Sequence, residues 1–135
     1  MENKEIKESF DILLTVCRID DNKLDIAYKQ MRDLLERLCR SQMQNESLQM
    51  TDLSARISFV AARTGLSAIE QNRLHTFRLT SNGVLNRRTE PEREKLLRDA
   101  KTLAFFLKKL SGTDIPDELY RLLPKTAVSY THLRA

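Results

Sequence analysis

Hydrophobic residues recur along this chain at helical spacing, in segments separated by short polar stretches. The first segment covers residues 3–17, where apolar positions repeat every three or four residues. The second, over residues 22–43, shows the clearest stripe, with steps of four and three from Leu24 through Tyr28, Met31 and Leu35 to Leu38. About three heptads is the minimum for a coiled coil, so this stripe favours a bundle helix.

Capping signals bound the third and fourth predicted helices. A polar linker at residues 43–50 precedes Thr51 and Asp52, either of which can start a helix, and Gly65 is placed to end it in a left-handed conformation. Ser67-x-x-Glu70 is a capping-box pattern that opens the fourth helix. The apolar side of this helix is formed by Ile69, Leu74, Phe77, Leu79, Val84 and Leu85. Gly83 inside it indicates a close helix crossing or a local bend.

The fifth helix is predicted to start at Thr89-Glu90-Pro91-Glu92, with Thr89 as the cap, and to end at Gly112. A short helix follows over residues 117–123 and stops at Pro124. The sequence therefore predicts an all-α fold, an antiparallel bundle of four to five main helices plus a short C-terminal helix. The fourth and fifth helices are expected to pack antiparallel. We assign residues 1–123 to one helical domain and 124–127 to a linker.

Composition narrows the classes of protein that fit. The 135 residues include only three glycines and three prolines, which argues against an all-β fold. No apolar run is long enough to cross a bilayer, so no membrane association is expected, and the N-terminus lacks a signal-peptide core, which predicts a cytoplasmic protein. Cys17 and Cys39 are not in a CxxC pair, so we predict buried free thiols, no metal site and no cofactor.

The formal charge of +4 is a mild signal. Lysines and arginines are mostly interleaved with acids, as in the stretches RDLLERLCR and EREKLLRD. Direct nucleic-acid binding is favoured when basic residues form a run or one clear face. The interleaving therefore favours a solvated surface of mixed charge.

The last eight residues, VSYTHLRA at positions 128–135, resemble translated read-through of a sequencing-library adapter. Such strings end open reading frames assembled from environmental DNA. We therefore leave this metagenomic tail out of the fold argument. On this interpretation the chain is the N-terminal piece of a longer protein, and a downstream domain carries any catalytic part.

One polar stripe distinguishes the fourth helix from the others. In the stretch HTFRLTSNGVLN, residues 75–86, steps of four place Arg78, Asn82 and Asn86 on one side of a helix, and His75 borders them. Two interpretations stay open: a structural polar network at a helix crossing, and a binding surface. The candidate binding residues are His75, Arg78, Asn82, Asn86, Arg87 and Arg88.

Four segments in order resemble a DUF4145-type helical domain of the HEPN-like group, over a core of about residues 22–111. They are AYKQMRDLLERLCR, LSARISFV, LHTFRLTSNGVLN and EREKLLRDAKTLAFFLKKL. The resemblance implies an accessory module of a restriction, helicase or other NTP-driven nucleic-acid system. The chain itself contains no GxxxxGK[ST] motif, so a nucleotide site would lie downstream.

The resemblance also implies a second activity, because HEPN ribonucleases bring arginine and histidine pairs together in a dimer and cut RNA without metal. Here Arg78 would hold a phosphate, but the closing histidine of the pattern is Asn86, which cannot exchange a proton near pH 7. His75 is the only other candidate for a proton-transfer group in the stripe. The pattern's glycine is Ser81.

Three hypotheses follow: a non-catalytic interaction module, a degenerate HEPN-type ribonuclease, and a structural dimerisation bundle resting on the second and fifth helices. We favour the first, with no catalytic residue in this chain. Its partner is open between a second copy of the chain, a nucleic acid and another protein.

Overall fold

The computed structural model describes residues 1–43 and 52–125, and these are helical, with no strand among them. The helices are α1 (Asn3–Cys17), α2 (Leu24–Ser41), α3 (Leu53–Thr64), α4 (Ala68–Leu85), α5 (Arg93–Ser111) and α6 (Asp117–Tyr120), with a 3₁₀ turn at Asp21–Lys23. The all-α prediction is confirmed. Most of the predicted 43–50 linker, Thr126 and Ala127 of the second linker, and the adapter-like tail lie outside the described residues.

The second helix, α2, lies at the centre and contacts α1, α3, α4 and α5. Its predicted stripe from Leu24 to Leu38 is buried throughout, because every step of three or four returns to the same side of the helix. Near its N-terminal end, the Tyr28 ring stacks on Phe77 of α4, with 6.1 Å between centroids and 14° between planes. No helix in the described part of the chain is long and apolar enough to span a bilayer.

Contacts at both ends show that α4 and α5 run antiparallel, as predicted. At one end, hydrogen bonds with Ser67 and then the nearby charge of Lys109, near the end of α5, lower the pKa of Glu70, near the start of α4. At the other end, Leu79 and Thr80 of α4 line a cavity together with Lys95 of α5.

The predicted apolar side of α4 needs correction. Leu74, Phe77 and Val84 are buried, but Ile69 and Leu79 are exposed. The reason is register, because positions 74, 77, 81 and 84 share the inward side and 69 and 79 do not. Ser81 therefore takes a core position, and its hydroxyl donates to the Arg78 carbonyl over 2.9 Å.

The fifth helix begins at Arg93, later than the Thr89-to-Glu92 pattern predicts, and no side chain caps it. The Arg93 side chain is anchored to the end of α1 instead. Its Nε donates to Asp21 over 2.6 Å, and its terminal nitrogens donate to the carbonyls of Cys17 and Ile19. This anchoring satisfies carbonyls that α1 leaves open at its C-terminus. The stretch predicted as the first turn is therefore a connection.

The end of α4 is a Schellman motif with an unusual residue. Arg88 N–H donates to the Gly83 carbonyl over 2.8 Å, and Arg87 N–H donates to the Val84 carbonyl over 3.1 Å. Arg87 takes φ of +60°, a left-handed conformation in which glycine is usual. Gly65 ends α3 in the same conformation, as predicted, and Gly112, the predicted end of α5, also takes it.

Gly83 is explained by the chain that follows the Schellman motif. Thr89 N–H bonds to the Gly83 carbonyl over 3.1 Å, so the two residues are held together. A Cβ atom at position 83 would lie 2.5 Å from Thr89 Oγ1 and 3.2 Å from its Cβ. The close approach is thus made by the α4–α5 connection, and not by the helix crossing or bend that the sequence suggested.

We expect Gly83→Ala to destabilise the protein by about 1–3 kcal/mol, because the contact with Thr89 outweighs the gain of about 1 kcal/mol in helix propensity. The free energy of unfolding in urea measures this. In a Thr89→Gly background the obstructing atoms are gone, and Gly83→Ala should then be neutral or stabilising. Equal losses in both backgrounds would contradict this account.

A buried polar pair joins α2 to α5. The Tyr28 hydroxyl donates to Asp99 Oδ2 over 2.6 Å, and Lys95 Nζ lies 3.3 Å from Asp99 Oδ1. Burial raises the pKa of Asp99, against the lowering effects of the Tyr28 hydrogen bond and the Lys95 charge. Burial, followed by the hydrogen bond to Asp99, also raises the pKa of Tyr28.

The raised pKa of Asp99 predicts a pH dependence of stability. The folded state holds the Asp99 proton to higher pH than the unfolded state does, so stability falls as pH rises from about 4 through the folded pKa. Relative to Asp99→Asn, the wild type should therefore lose free energy of unfolding across that window. Urea unfolding at a series of pH values measures the difference, and Asp33→Asn, at an exposed carboxylate, controls for the loss of a charge.

Candidate functional site

Part of the predicted stripe opens on a cleft between three helices. Arg78 and Asn82 of α4 line it together with Arg32 of α2 and with residues around the start of α3, namely Asp52, Leu53, Ser54, Ala55 and Ser58. The cleft is open to solvent and has a volume of about 470 Å³. We call it the α2–α3–α4 cleft.

The Asn82 side chain bonds to neither the Arg78 nor the Asn86 side chain but to a residue of α2, as a structural polar contact at a helix crossing would. Its Oδ1 accepts a hydrogen bond from Arg32 NH1, which also donates to the buried Ser81 hydroxyl over 3.3 Å. Arg32 Nε also lies 3.5 Å from Glu36 Oε2, one turn further along α2. Asn82 therefore helps to tie α4 to α2. Sequence reasoning missed Arg32, although its i,i+4 spacing to Glu36 was visible.

Asn86, Arg87 and Arg88 lie apart from this cleft. Asn86 is the exposed C-cap of α4, and its N–H donates to the Asn82 carbonyl over 3.0 Å. Arg87 and Arg88 are exposed and follow it in the Schellman motif. Of the six predicted binding residues, the structure thus brings together His75, Arg78 and Asn82.

His75 joins Arg78 to α3. Arg78 Nε donates to His75 Nδ1 over 3.4 Å, and His75 Nε2 lies 3.4 Å from Ser58 Oγ. Gln71 Nε2 donates to the same hydroxyl, also over 3.4 Å. Burial, and then the neighbouring Arg78 charge, lower the pKa of His75. His75 is therefore neutral near pH 7, with its hydrogen on Nε2.

This tautomer disfavours a serine–histidine nucleophile pair. A general base acting on Ser58 would need a free lone pair on His75 Nε2, but that nitrogen carries the hydrogen because Arg78 donates to Nδ1. Asn86 lies outside the cleft and cannot exchange a proton near pH 7. The contact that the structure shows for His75 Nδ1 is the hydrogen bond from Arg78 Nε.

The described residues contain no group of metal ligands and no exposed thiol. Within residues 1–43 and 52–125, no three His, Cys, Asp or Glu residues are grouped to hold a metal ion. Cys17 and Cys39 are buried and free, as predicted. Burial raises the pKa of Cys17 to about 11 and that of Cys39 to about 12, so both thiols stay protonated at neutral pH.

Arg78 is the charge that the α2–α3–α4 cleft leaves available. Its contact with His75 uses Nε, and no carboxylate in the described part of the chain pairs with its guanidinium. Arg32, in contrast, has Glu36 as a partner. Asp52 lines the cleft too, but its Oδ1 already accepts the Ala55 N–H over 2.8 Å as the N-cap of α3. An incoming anionic group would thus meet two free terminal nitrogens of Arg78.

Comparison of the chain with protein-family models, curated proteins and solved structures gave no match. The resemblance to a DUF4145-type domain therefore stays a prediction, and the chemistry of the cleft is the basis for assigning a function.

The different partners of Arg78 and Asn82 predict different effects on stability. Asn82→Ala removes an acceptor from the partly buried Arg32 and should cost about 1–2 kcal/mol. Arg78→Ala removes one long hydrogen bond and should change the free energy of unfolding by less than about 0.5 kcal/mol. Urea unfolding compares the two. A loss for Arg78→Ala as large as that for Asn82→Ala would show that Arg78 is structural.

Proposed function

We propose that this chain is a non-catalytic helical interaction module that holds an anionic group of its partner in the α2–α3–α4 cleft. The observation that carries this proposal is the guanidinium of Arg78, which lines the cleft with no carboxylate partner among the described residues. A guanidinium can hold a phosphate or carboxylate through two parallel hydrogen bonds. His75 supports this role because its contact with Nε orients the side chain.

We further propose that the module serves a larger DNA- or RNA-processing, NTP-dependent enzyme such as a helicase. This part rests on the resemblance of four ordered segments to DUF4145-type accessory domains. A phosphate of a nucleic acid is then one natural occupant of the cleft, and an acidic group of a protein is another.

The HEPN-type ribonuclease is the second candidate, and one observation favours it. His75 contacts Arg78, and Arg78 lines an open cleft, as a phosphate-cleaving site would require. The hydrogen-bonding pattern weighs against it, because the lone pair of the neutral His75 ring already accepts from Arg78 Nε. A general base would need that lone pair free.

The third candidate, a dimerisation bundle resting on α2 and α5, has less support. The stripe from Leu24 to Leu38 on α2 is buried within the chain, as are Leu96, Leu103 and Leu107 on α5. Apolar surface that is already buried cannot form an exposed seam with a second copy.

Binding measurements with Arg78 variants test the proposal. Labelled single-stranded RNA and DNA oligonucleotides serve as probes in anisotropy titrations, and sedimentation velocity reports self-association. We expect Arg78→Ala to weaken whichever association is present by about tenfold, since a charge-assisted contact is lost. Arg78→Lys should recover part of it, because lysine keeps the charge and loses the fork.

Arg37→Ala is the matched control, since Arg37 is exposed on α2 and does not line the cleft. Equal binding and association by wild type and Arg78→Ala would sink the binding role. The RNA probe should also stay intact during the titration. Cleavage that disappears in His75→Ala would replace the proposal with the ribonuclease.

A further inference from the structure

A second surface lies on the outer side of α4 and α5, and we define it by Ile69, Arg73, Leu79, Arg98, Phe105 and Lys109. We call it the α4–α5 face. It carries three large hydrophobic side chains in solvent: Ile69 is 63% exposed, Leu79 59% and Phe105 39%. Single exposed apolar residues are ordinary, but three on one pair of helices indicate a contact surface.

The antiparallel arrangement of α4 and α5 brings these residues together. Leu79 and Arg98 line one cavity of about 400 Å³, which shares no lining residue with the α2–α3–α4 cleft. At the other end, hydrogen bonds from Ser67 and then the charges of Lys109 and Arg73 lower the pKa of Glu70, which adjoins Ile69. Phe105 follows Arg98 by two turns of α5, between the two ends.

Cations lie among these apolar residues, whereas acids lie at the two ends of the face, including the exposed Glu94 one turn before Arg98. Arg73, Arg98 and Lys109 are exposed, and none forms an ion pair within residues 1–43 and 52–125. Two of the nearby acids already have partners within the chain: Glu70 closes the capping box with Ser67, and Asp99 is buried against Tyr28. Glu90 and Glu92 border only the cavity end of the face.

We infer that the α4–α5 face docks an acidic amphipathic helix of a protein partner. An apolar stripe would cover Ile69, Leu79 and Phe105, and flanking carboxylates would meet the three cations. The span from Ile69 to Leu79 is about 15 Å, which about three turns of a partner helix would cover. This inference does not depend on the use of the α2–α3–α4 cleft.

The composition of the face favours a protein over a nucleic acid and over a second copy of this chain. Two of its three apolar residues are aliphatic, whereas bases stack on aromatic rings. A second copy placed symmetrically on the same face would set cations against cations. An acidic helix satisfies both the apolar and the charged residues.

Two designed peptides of about 14 residues test the inference, each with a leucine stripe at i, i+3, i+4 and i+7. One carries glutamate at the remaining positions and the other carries lysine. We expect the glutamate peptide to bind at least about tenfold more tightly in anisotropy titrations, because only its charges complement the face. Leu79→Ser and Arg98→Ser should each weaken it by about tenfold, as loss of a central contact does.

Ile26→Ser and Arg37→Ser are the matched controls, because both residues are exposed on α2. Neither should change the affinity. Circular dichroism of each variant verifies that it folds. Equal binding of the two peptides, absence of binding to either, or binding that survives both Leu79→Ser and Arg98→Ser would overturn the inference. A single-stranded DNA oligonucleotide that binds through Arg98 and displaces the glutamate peptide would assign the face to nucleic acid instead.

Discussion

The structure depends on one residue, Tyr28, through which α2 holds both α4 and α5. Its ring is fully buried against Phe77 of α4, and its hydroxyl donates to the buried Asp99 of α5. The hydroxyl and the carboxylate each need this partner, because an unpaired polar group in the core costs about 1–3 kcal/mol. Lys95, at the edge of the same pair, gives the carboxylate a second contact. The stacking of the Tyr28 ring on Phe77 holds α4 against α2, and both proposed binding surfaces are built on α4.

The fourth helix is unusual because neither of its sides is simply apolar or polar. Inward, it places Ser81 in the core, where the hydroxyl bonds to a carbonyl of its own helix and to Arg32. Outward, it exposes Ile69 and Leu79. A helix that only filled a core would be more stable with an apolar residue at position 81 and polar residues at positions 69 and 79. The exposed apolar residues are the part of this pattern on which the proposed α4–α5 face rests.

The sequence predicted what depends on local chemistry. The correct predictions are the stripe on α2, the Ser67–Glu70 capping box, the left-handed end at Gly65 and the end of α5 at Gly112. Each is determined by residues within a few positions of one another. The predicted start of α5 was wrong. Arg93, where α5 begins, bonds to the end of α1 more than seventy residues earlier, and no local pattern in the sequence indicates that contact. Asp99 was missed although it lies three residues after Leu96 on the buried side of α5, since a carboxylate there has meaning only once Tyr28 is opposite it.

The candidate site shows the same difference between what local spacing predicts and what depends on contacts with other helices. Spacing by four placed Arg78 and Asn82 on one side of α4, and the structure does bring both into one cleft. Their partners come from other helices, Arg32 from α2 and Ser58 from α3 by way of His75. Periodicity within α4 could not show that Asn82 bonds to Arg32 of another helix whereas the terminal nitrogens of Arg78 have no such partner among the described residues. That distinction has a consequence for affinity, because one available guanidinium supports only weak binding against the cost of association. A partner that contacts the α2–α3–α4 cleft and the α4–α5 face together would bind far more tightly, since the second contact is made at high effective concentration. Two modest surfaces that share one fixed helix are therefore a physically reasonable way for a small bundle to hold a larger protein, if the proposed contacts are both made.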